Sequence, residues 1–367
     1  MVDNNSNKKI KVAIVGCGRI SSNHIKALIN ENKRAELVAI CEPSEERIQN
    51  TLNLIKQESV EIKIKFTKPR IFRNFEQLIK EKLNKIISID LVVLTTPSGL
   101  HPIQTEMAAK SGINVCTEKP MAVSWLDGVN MLKTCREHNV RLFVVKQNRL
   151  NQTIQLLRKQ IEKGRFGKIA LVTINVFWQR PQSYYDQDDW RGTKDLDGGA
   201  LMNQASHYVD LIDWLIGPVK FISAFTSTIS RSIEAEDTAV MNMEWENGAL
   251  GTMAVTMLTY PNNLEGSITV LGEKGSVKIG GKAINNIDFW KFSKPSKDDE
   301  LIDKASYETN SVYGFGHKHY WSNMLDSLLN NSTSICDGED GIKSLELLIA
   351  AYKSSNEKRI IDLPLPR

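Results

Sequence analysis

Two short stretches carry side chains suited to moving protons and stabilising charge. Glu118-Lys119-Pro120 closes an apolar run, so Lys119 stands at a strand end with its backbone restricted by the following proline. Gly198-Gly-Ala-Leu-Met-Asn203-Gln-Ala-Ser-His207-Tyr-Val-Asp210 places an imidazole on a helix behind two glycines that let something approach closely. Histidine titrates near about 6.5 and can accept a hydroxyl proton at neutral pH without help. A lysine would have to fall by about 3 pKa units to do the same, so it serves better as a cation beside a developing alkoxide. Removing a hydride from a carbinol requires its hydroxyl proton to leave, so a base must sit within hydrogen-bond reach. The pattern predicts His207 as base, Lys119 as stabilising cation and Asn203 as the group that orients the imidazole or the substrate.

Such chemistry needs a hydride acceptor, and the N-terminal stretch supplies a place for one. Val12-Ala-Ile-Val15 reads as a buried strand, and Gly16-Cys-Gly18-Arg19-Ile20-Ser21 turns it into a helix running to about Asn30. This is the order of a dinucleotide fingerprint: tight turn, close main-chain approach to a pyrophosphate, then the positive end of a helix. The third glycine of the pattern is replaced by Ser21, which is nearly as small. A second strand, Glu36–Cys41, ends on Glu42, placed to accept hydrogen bonds from an adenosine ribose and to repel a 2′-phosphate. NAD is therefore the expected cofactor.

The elements that must position these groups follow from the apolar pattern. Strands at 91–95, 114–117 and 142–146 alternate with helices, and their carboxyl ends carry Thr96-Pro97-Ser98 with His101, then Glu118-Lys119, then Gln147-Asn148-Arg149. This predicts a doubly wound parallel sheet over residues 1–146. From 147 to 367 strands succeed one another with little helix between, and Asn247-Gly248 marks a hairpin. The expectation there is an α+β domain with a large antiparallel sheet covered by helices. On the histidine helix, 100° per residue groups Asn203, His207, Asp210 and Trp214 on a polar stripe opposite Leu201, Ala205, Tyr208, Ile212 and Leu215.

Composition removes several function classes. The 367 residues fit two domains, and 47 basic against 43 acidic residues give a net charge of +4 without a concentrated patch for nucleic acid. No run approaches the ~20 apolar residues of a membrane span. Five cysteines show no C-x-x-C spacing and read as reduced core thiols, so no metal site is expected and the location is cytoplasmic.

Together, the Gly16–Ser21 turn, Glu118-Lys119-Pro120, the Gly-Gly-Ala-Leu helix with His207, Gly338–Glu346 and Leu363-Pro364 resemble the glucose-fructose oxidoreductase/inositol dehydrogenase (Gfo/Idh/MocA) family. Many members have an aspartate where this chain has Asn203, and an amide cannot supply that negative charge. Within the family, Thr96–His101, Lys146–Arg149, Trp190-Arg191-Gly-Thr193 and Asn203–His207 are similar to stretches of the bacterial UDP-N-acetylglucosaminuronate 3-dehydrogenases. That resemblance implies oxidation of a UDP-sugar at C3 with NAD, for the building of surface polysaccharides. It also implies 2-oxoglutarate as reoxidant in some members, a homotetramer formed through the second-domain sheets, and Trp190 and Arg191 near the cofactor. Asn148, Arg149, Arg180 and Lys318, with the aromatics around Tyr184-Tyr185 and Tyr313–His319, are expected to meet a large anionic substrate. The alternatives are a dehydrogenase of a free polyol or sugar, and a dinucleotide-sensing or sugar-binding protein without turnover.

Overall fold

The structure, a computed structural model, describes residues 9–281, 283–308 and 316–366. The chain condenses into two compact units that interleave in sequence: Met1–Ala122, Leu126–Val145 and His317–Gly341 form the first, the remainder the second.

The first unit alternates strand and helix: β1 (Ile10–Val15), α1 (Ser21–Asn30), β2 (Ala35–Cys41), α2 (Glu45–Glu61), β3 (Arg70–Phe72), α3 (Phe75–Leu83), β4 (Leu91–Leu94), α4 (His101–Lys110), β5 (Asn114–Thr117), α5 (Trp125–Glu137) and β6 (Leu142–Val144). The strands pair in parallel in the order β3-β2-β1-β4-β5-β6. Strands buried on both faces explain the unbroken apolar runs: Val12–Val15 and Leu91–Leu94 are at most 2% exposed. The strand order reverses between β1 and β4, where doubly wound sheets bind ligands.

The second unit continues with α6 (Gln152–Glu162), β7 (Ile169–Phe177), α7 (Gln182–Tyr185), α8 (Ser206–Ile216), β8 (Val219–Ser227), β9 (Thr238–Trp245), β10 (Leu250–Thr256), β11 (Glu265–Gly272), β12 (Gly275–Gly280), β13 (Asn286–Phe292) and α9 (Ile302–Ala305). The chain then forms α10 (Gly316–Asn330), almost wholly within the first unit, and closes on α11 (Gly338–Glu357) and β14 (Ile361–Asp362).

The eight-stranded sheet has the order β13-β12-β11-β7-β10-β9-β8-β14. It is mixed, which corrects the expected antiparallel sheet: β10 runs parallel to β7 while the other pairs are antiparallel. Later strands insert beside β7 from both sides, so serial order along the chain is not the order in space.

Candidate active site

In the first unit the glycine turn lies at the reversal point of the sheet. Gly16 has φ +89°, and a Cβ there would meet the Thr95 carbonyl oxygen at 2.8 Å, so the turn is pressed against the end of β4. A Cβ on Gly18 would meet nothing within 4 Å, so this glycine keeps open space rather than relieving a packing clash. Ser21, at the start of α1, donates from Oγ to the Gly18 carbonyl at 2.6 Å and packs where the third glycine usually sits. Helix α1 has no side-chain cap and no acidic residue in its first turn, so its positive end is not neutralised locally. Arg19 is exposed and Ile20 half-buried beside it. These features fit a dinucleotide pyrophosphate.

Glu42 is buried, and its carboxylate accepts from Cys17 N at 2.7 Å and Ser44 N at 3.0 Å. It thereby ties the end of β2 to the glycine turn. Each carboxylate oxygen has a second lone pair, so these bonds are compatible with ribose hydroxyls. Thr96 donates to Gln104, and Ser98 opens a 3₁₀ turn after Pro97. His101 has a protein carbonyl against each ring nitrogen. It is fully buried, with Nδ1 3.0 Å from the Pro120 carbonyl and Nε2 3.0 Å from the Thr96 carbonyl. Burial outweighs these two carbonyls and lowers its pKa, and the ring braces one strand-end loop against the next.

The Glu-Lys-Pro stretch rests on a buried relay. Glu118 Oε1 lies 2.9 Å from His24 Nε2 and 3.8 Å from His317 Nε2, and Oε2 accepts from the Lys119 N–H at 3.1 Å. His24 Nδ1 accepts from the Trp321 indole at 3.1 Å. An indole N–H only donates, so the His24 proton must sit on Nε2, facing Glu118. Burial opposes the Glu118 charge, but the hydrogen bond from His24 and the neighbouring His317 ring hold its pKa well below the usual carboxylate range. Ligand atoms of His24, Glu118 and His317 lie within 4.8 Å of one another, close enough to suggest a cation site. The Trp321 donor speaks against it, because a metal on Nε2 would force the proton onto Nδ1, N–H against N–H. Lys119 itself is half-buried, and its peptide to Pro120 is cis.

In the second unit, His207 is the second residue of α8 and is 8% exposed. Gln147 Nε2 lies 3.1 Å from His207 Nε2, and an amide NH₂ donates, so Nε2 carries the imidazole lone pair. Asp210, three residues on, is not on a solvated stripe as the helical pattern suggests. It is buried and held by Arg149 through Nε at 2.7 Å and Nη2 at 2.8 Å, with Lys146 Nζ at 3.6 Å. Burial opposes its ionisation, yet the two cations hold its pKa below the ordinary value. Arg149 is correspondingly 2% exposed and bound in a bidentate pair. Asn148 is different: its buried Oδ1 has no hydrogen-bond partner among the described residues, nor has Gln147 Oε1. A buried acceptor left unpaired costs about 1–3 kcal/mol, which ligand hydroxyls would recover.

The turn before α8 explains the paired glycines. Ala200–Gln204 is π-helical, so the 100° spacing does not carry through from 201 to 207. A Cβ on Gly199 would collide with the Glu236 carboxylate, whose Oε1 accepts from Leu201 N and Tyr352 Oη, each at 2.8 Å. Burial pushes the Glu236 carboxyl up to about 7, with the Asp197 charge adding to it. Asn203 donates from Nδ2 to Asp197 Oδ1, and Asp197 Oδ2 accepts from Gly192 N at 2.7 Å. The carboxylate absent at position 203 is thus present one side chain away.

Gln204 joins this turn to a basic, aromatic cluster. Arg180 Nε donates to Gln204 Oε1 at 3.1 Å, and its guanidinium lies 5.2 Å from the Trp178 ring centre and 5.4 Å from that of Tyr184. Arg191 stacks on Tyr184 and Trp190 at 4.7 and 4.6 Å, and pairs with Asp188 at 3.0 Å. Trp190 and Arg191 therefore lie with Arg180 in the second unit. Lys318 is exposed on α10 in the first unit, so the expected anionic set does not form one surface of the second. Tyr313, Gly314 and Phe315 lie outside the described residues. Sequence reasoning missed His24, Trp321, Asp197, Glu236 and Tyr352 as supports; the only local signal was the acidic pair Glu236-Asp237 entering β9.

The fold and these sites define an oxidoreductase of two domains. The chain belongs to the Gfo/Idh/MocA family: residues 10–146 match its NAD-binding Rossmann fold and residues 158–363 its C-terminal alpha/beta domain. The WlbA dehydrogenase from Bordetella pertussis, solved in complex with NADH and UDP-GlcNAcA, is 51% identical with a TM-score of 0.90, covering 98% of this chain and 99% of that one. The WlbA dehydrogenase from Chromobacterium violaceum, also with NADH and UDP-GlcNAcA, is 47% identical with a TM-score of 0.89, covering 100% and 98%. The D-apiose dehydrogenase of Paraburkholderia graminis is 23% identical over 97% of this chain and 90% of its own length.

Proposed function

We propose that this protein oxidises the C3 hydroxyl of a UDP-N-acetylhexosaminuronate, UDP-GlcNAcA, to the 3-keto sugar with NAD. The observation that carries this reading is the 51% identity, over nearly the whole of both chains, to a dehydrogenase solved with NADH and that sugar nucleotide. NAD, held by Gly16, Gly18 and the N-terminus of α1 with Glu42 at the ribose, supplies the hydride acceptor. His207 takes the hydroxyl proton on Nε2, the nitrogen whose lone pair Gln147 marks. Lys119 stabilises the alkoxide charge as the carbon–hydrogen bond breaks. Asn203, anchored on Asp197, orients the sugar. Asn148 Oδ1 and Gln147 Oε1 accept from ligand hydroxyls.

The same resemblance supports 2-oxoglutarate as reoxidant and a cytoplasmic homotetramer. Among the described residues no helix is long and apolar enough to cross a membrane. The eight-stranded sheet carries Leu250, Leu171 and Leu271 in one register row across β10, β7 and β11, all at least 36% exposed, and this face suits a second copy. Sedimentation should give a tetramer, and Leu171→Lys should shift it to smaller species; a wild-type monomer would refute this part.

The activity itself is tested by mixing enzyme with UDP-GlcNAcA and either NAD or NADP and following absorbance of the reduced cofactor. Reduction with NAD is expected to exceed that with NADP. His207→Asn should lower single-turnover reduction near pH 8 by about a thousandfold, since a positioned base contributes roughly 10²–10⁴. Unchanged reduction in that variant would remove His207 as the base.

A further inference from the structure

We infer that Arg180 is the residue that reads the sugar's carboxylate, and so sets the preference for a uronate over the neutral N-acetylhexosamine. The inference rests on the proposed substrate and deepens it. A guanidinium presents five N–H donors. Among the described residues two oxygens accept from the Arg180 guanidinium, Gln204 Oε1 from Nε at 3.1 Å and the Gln179 carbonyl from Nη1 at 2.7 Å. Among those residues no carboxylate lies within ion-pair distance, which leaves the Nη2 edge unmatched by any anion. Arg191, close by across the same Tyr184 ring, already has Asp188 as its counter-charge.

The Arg180 side chain is also preorganised. It lies between the Trp178 and Tyr184 rings, and Gln204, which orients its Nε, donates to Tyr184 Oη at 3.1 Å. A half-buried cation held this way, with a free planar edge, is built for a carboxylate or phosphate. Its position favours the carboxylate. Gln204 directly follows Asn203 in the π-helical turn and stands three residues before His207, so Arg180 is braced by the turn that presents the base. The part of the ligand nearest the base is the sugar being oxidised. Its carboxylate belongs to the reacting ring, whereas the diphosphate hangs from the anomeric oxygen outside that ring.

The experiment measures dissociation constants of UDP, UDP-GlcNAc and UDP-GlcNAcA for the full-length NADH-bound protein. Wild type should bind UDP-GlcNAcA about 30-fold more tightly than UDP-GlcNAc, and Arg180→Gln should erase that difference while UDP affinity changes less than threefold. Tyr184→Phe, which keeps the ring and removes the hydroxyl that Gln204 and Arg191 use, should lose about threefold in the same ratio. A parallel fall in UDP affinity in Arg180→Gln would move Arg180 to the diphosphate and overturn the inference, as would a preserved preference for the uronate. A wild-type protein that binds both sugars alike, or neither, would instead overturn the proposed substrate.

Discussion

Glu118 and Glu236 are the same residue in similarly dry surroundings, 6% and 6% exposed, and they titrate in opposite directions. Glu118 in the first unit is held ionised by the His24 imidazole, with His317 nearby, despite its burial. Glu236 in the second is met by a backbone N–H and a tyrosine hydroxyl, with the Asp197 charge nearby, and burial raises it to about 7. Burial disfavours both charges; it is outweighed at Glu118, where an imidazole N–H donates, and prevails at Glu236, where the donors are neutral and the Asp197 charge is nearby. The consequence is a division of tasks. The relay under Lys119 is a fixed negative charge, whereas the support of the His207 turn is a neutral acid at the lower end of the physiological range.

The sharpest way to break this contrast is Glu236→Gln. A carboxyl raised from 4.5 to about 7 stabilises the fold fully below its unfolded pKa, and that contribution is lost as pH rises through about 7. A displacement of that size is worth about 3 kcal/mol. The glutamine variant should therefore match wild type near pH 5 and exceed it by about 2–3 kcal/mol near pH 8.5, measured by urea unfolding at both values. Equal stability of the two proteins across that range would show that Glu236 is ionised like Glu118.

Glu118→Gln should act with the opposite sign. A depressed carboxyl stabilises above its unfolded pKa and loses that contribution only as pH falls through the folded value. Losing the charge-assisted bond from His24 should cost about 2 kcal/mol at pH 7, the usual size for a hydrogen bond to a charged group. Because Glu118 also accepts from the Lys119 N–H, kcat should fall by about tenfold with little change in NADH affinity. A variant as stable and as active as wild type would reduce the relay to incidental packing.

Which features the chain discloses depends on how locally each is determined. The first sheet is legible because each strand is a short apolar run and the glycine turn is six consecutive residues. Strand β13 escapes the apolar pattern because it is an edge strand, with Asp288 and Lys291 among its residues and Phe289 53% exposed. The helical wheel around His207 fails for a physical reason, since the π-helical turn shifts the phase and turns Asp210 into a buried anchor. His24, Glu118 and Trp321 are far apart in the chain, and no spacing rule links an indole near residue 320 to a glycine-turn helix. Asp197 comes beside Asn203 only because Gly192 and Asn203 fold onto it.

The parallel pairing of β7 with β10 has a consequence for how the chain comes to be folded at all. β7 lies between β10 and β11, and neither exists until the chain has been made past residue 250 and then past residue 265. A chain emerging from the ribosome therefore carries Ile169–Phe177 for a long interval with both edges unpaired. Such closures of long loops are slow, and an open apolar strand is a template for joining the wrong chain. The segment that leaves β7, Trp178 to Arg180, takes its final backbone partners from residues 256, 257 and 259. The anion-reading arginine is thus assembled only after the six parallel strands at the other end of the chain have been synthesised.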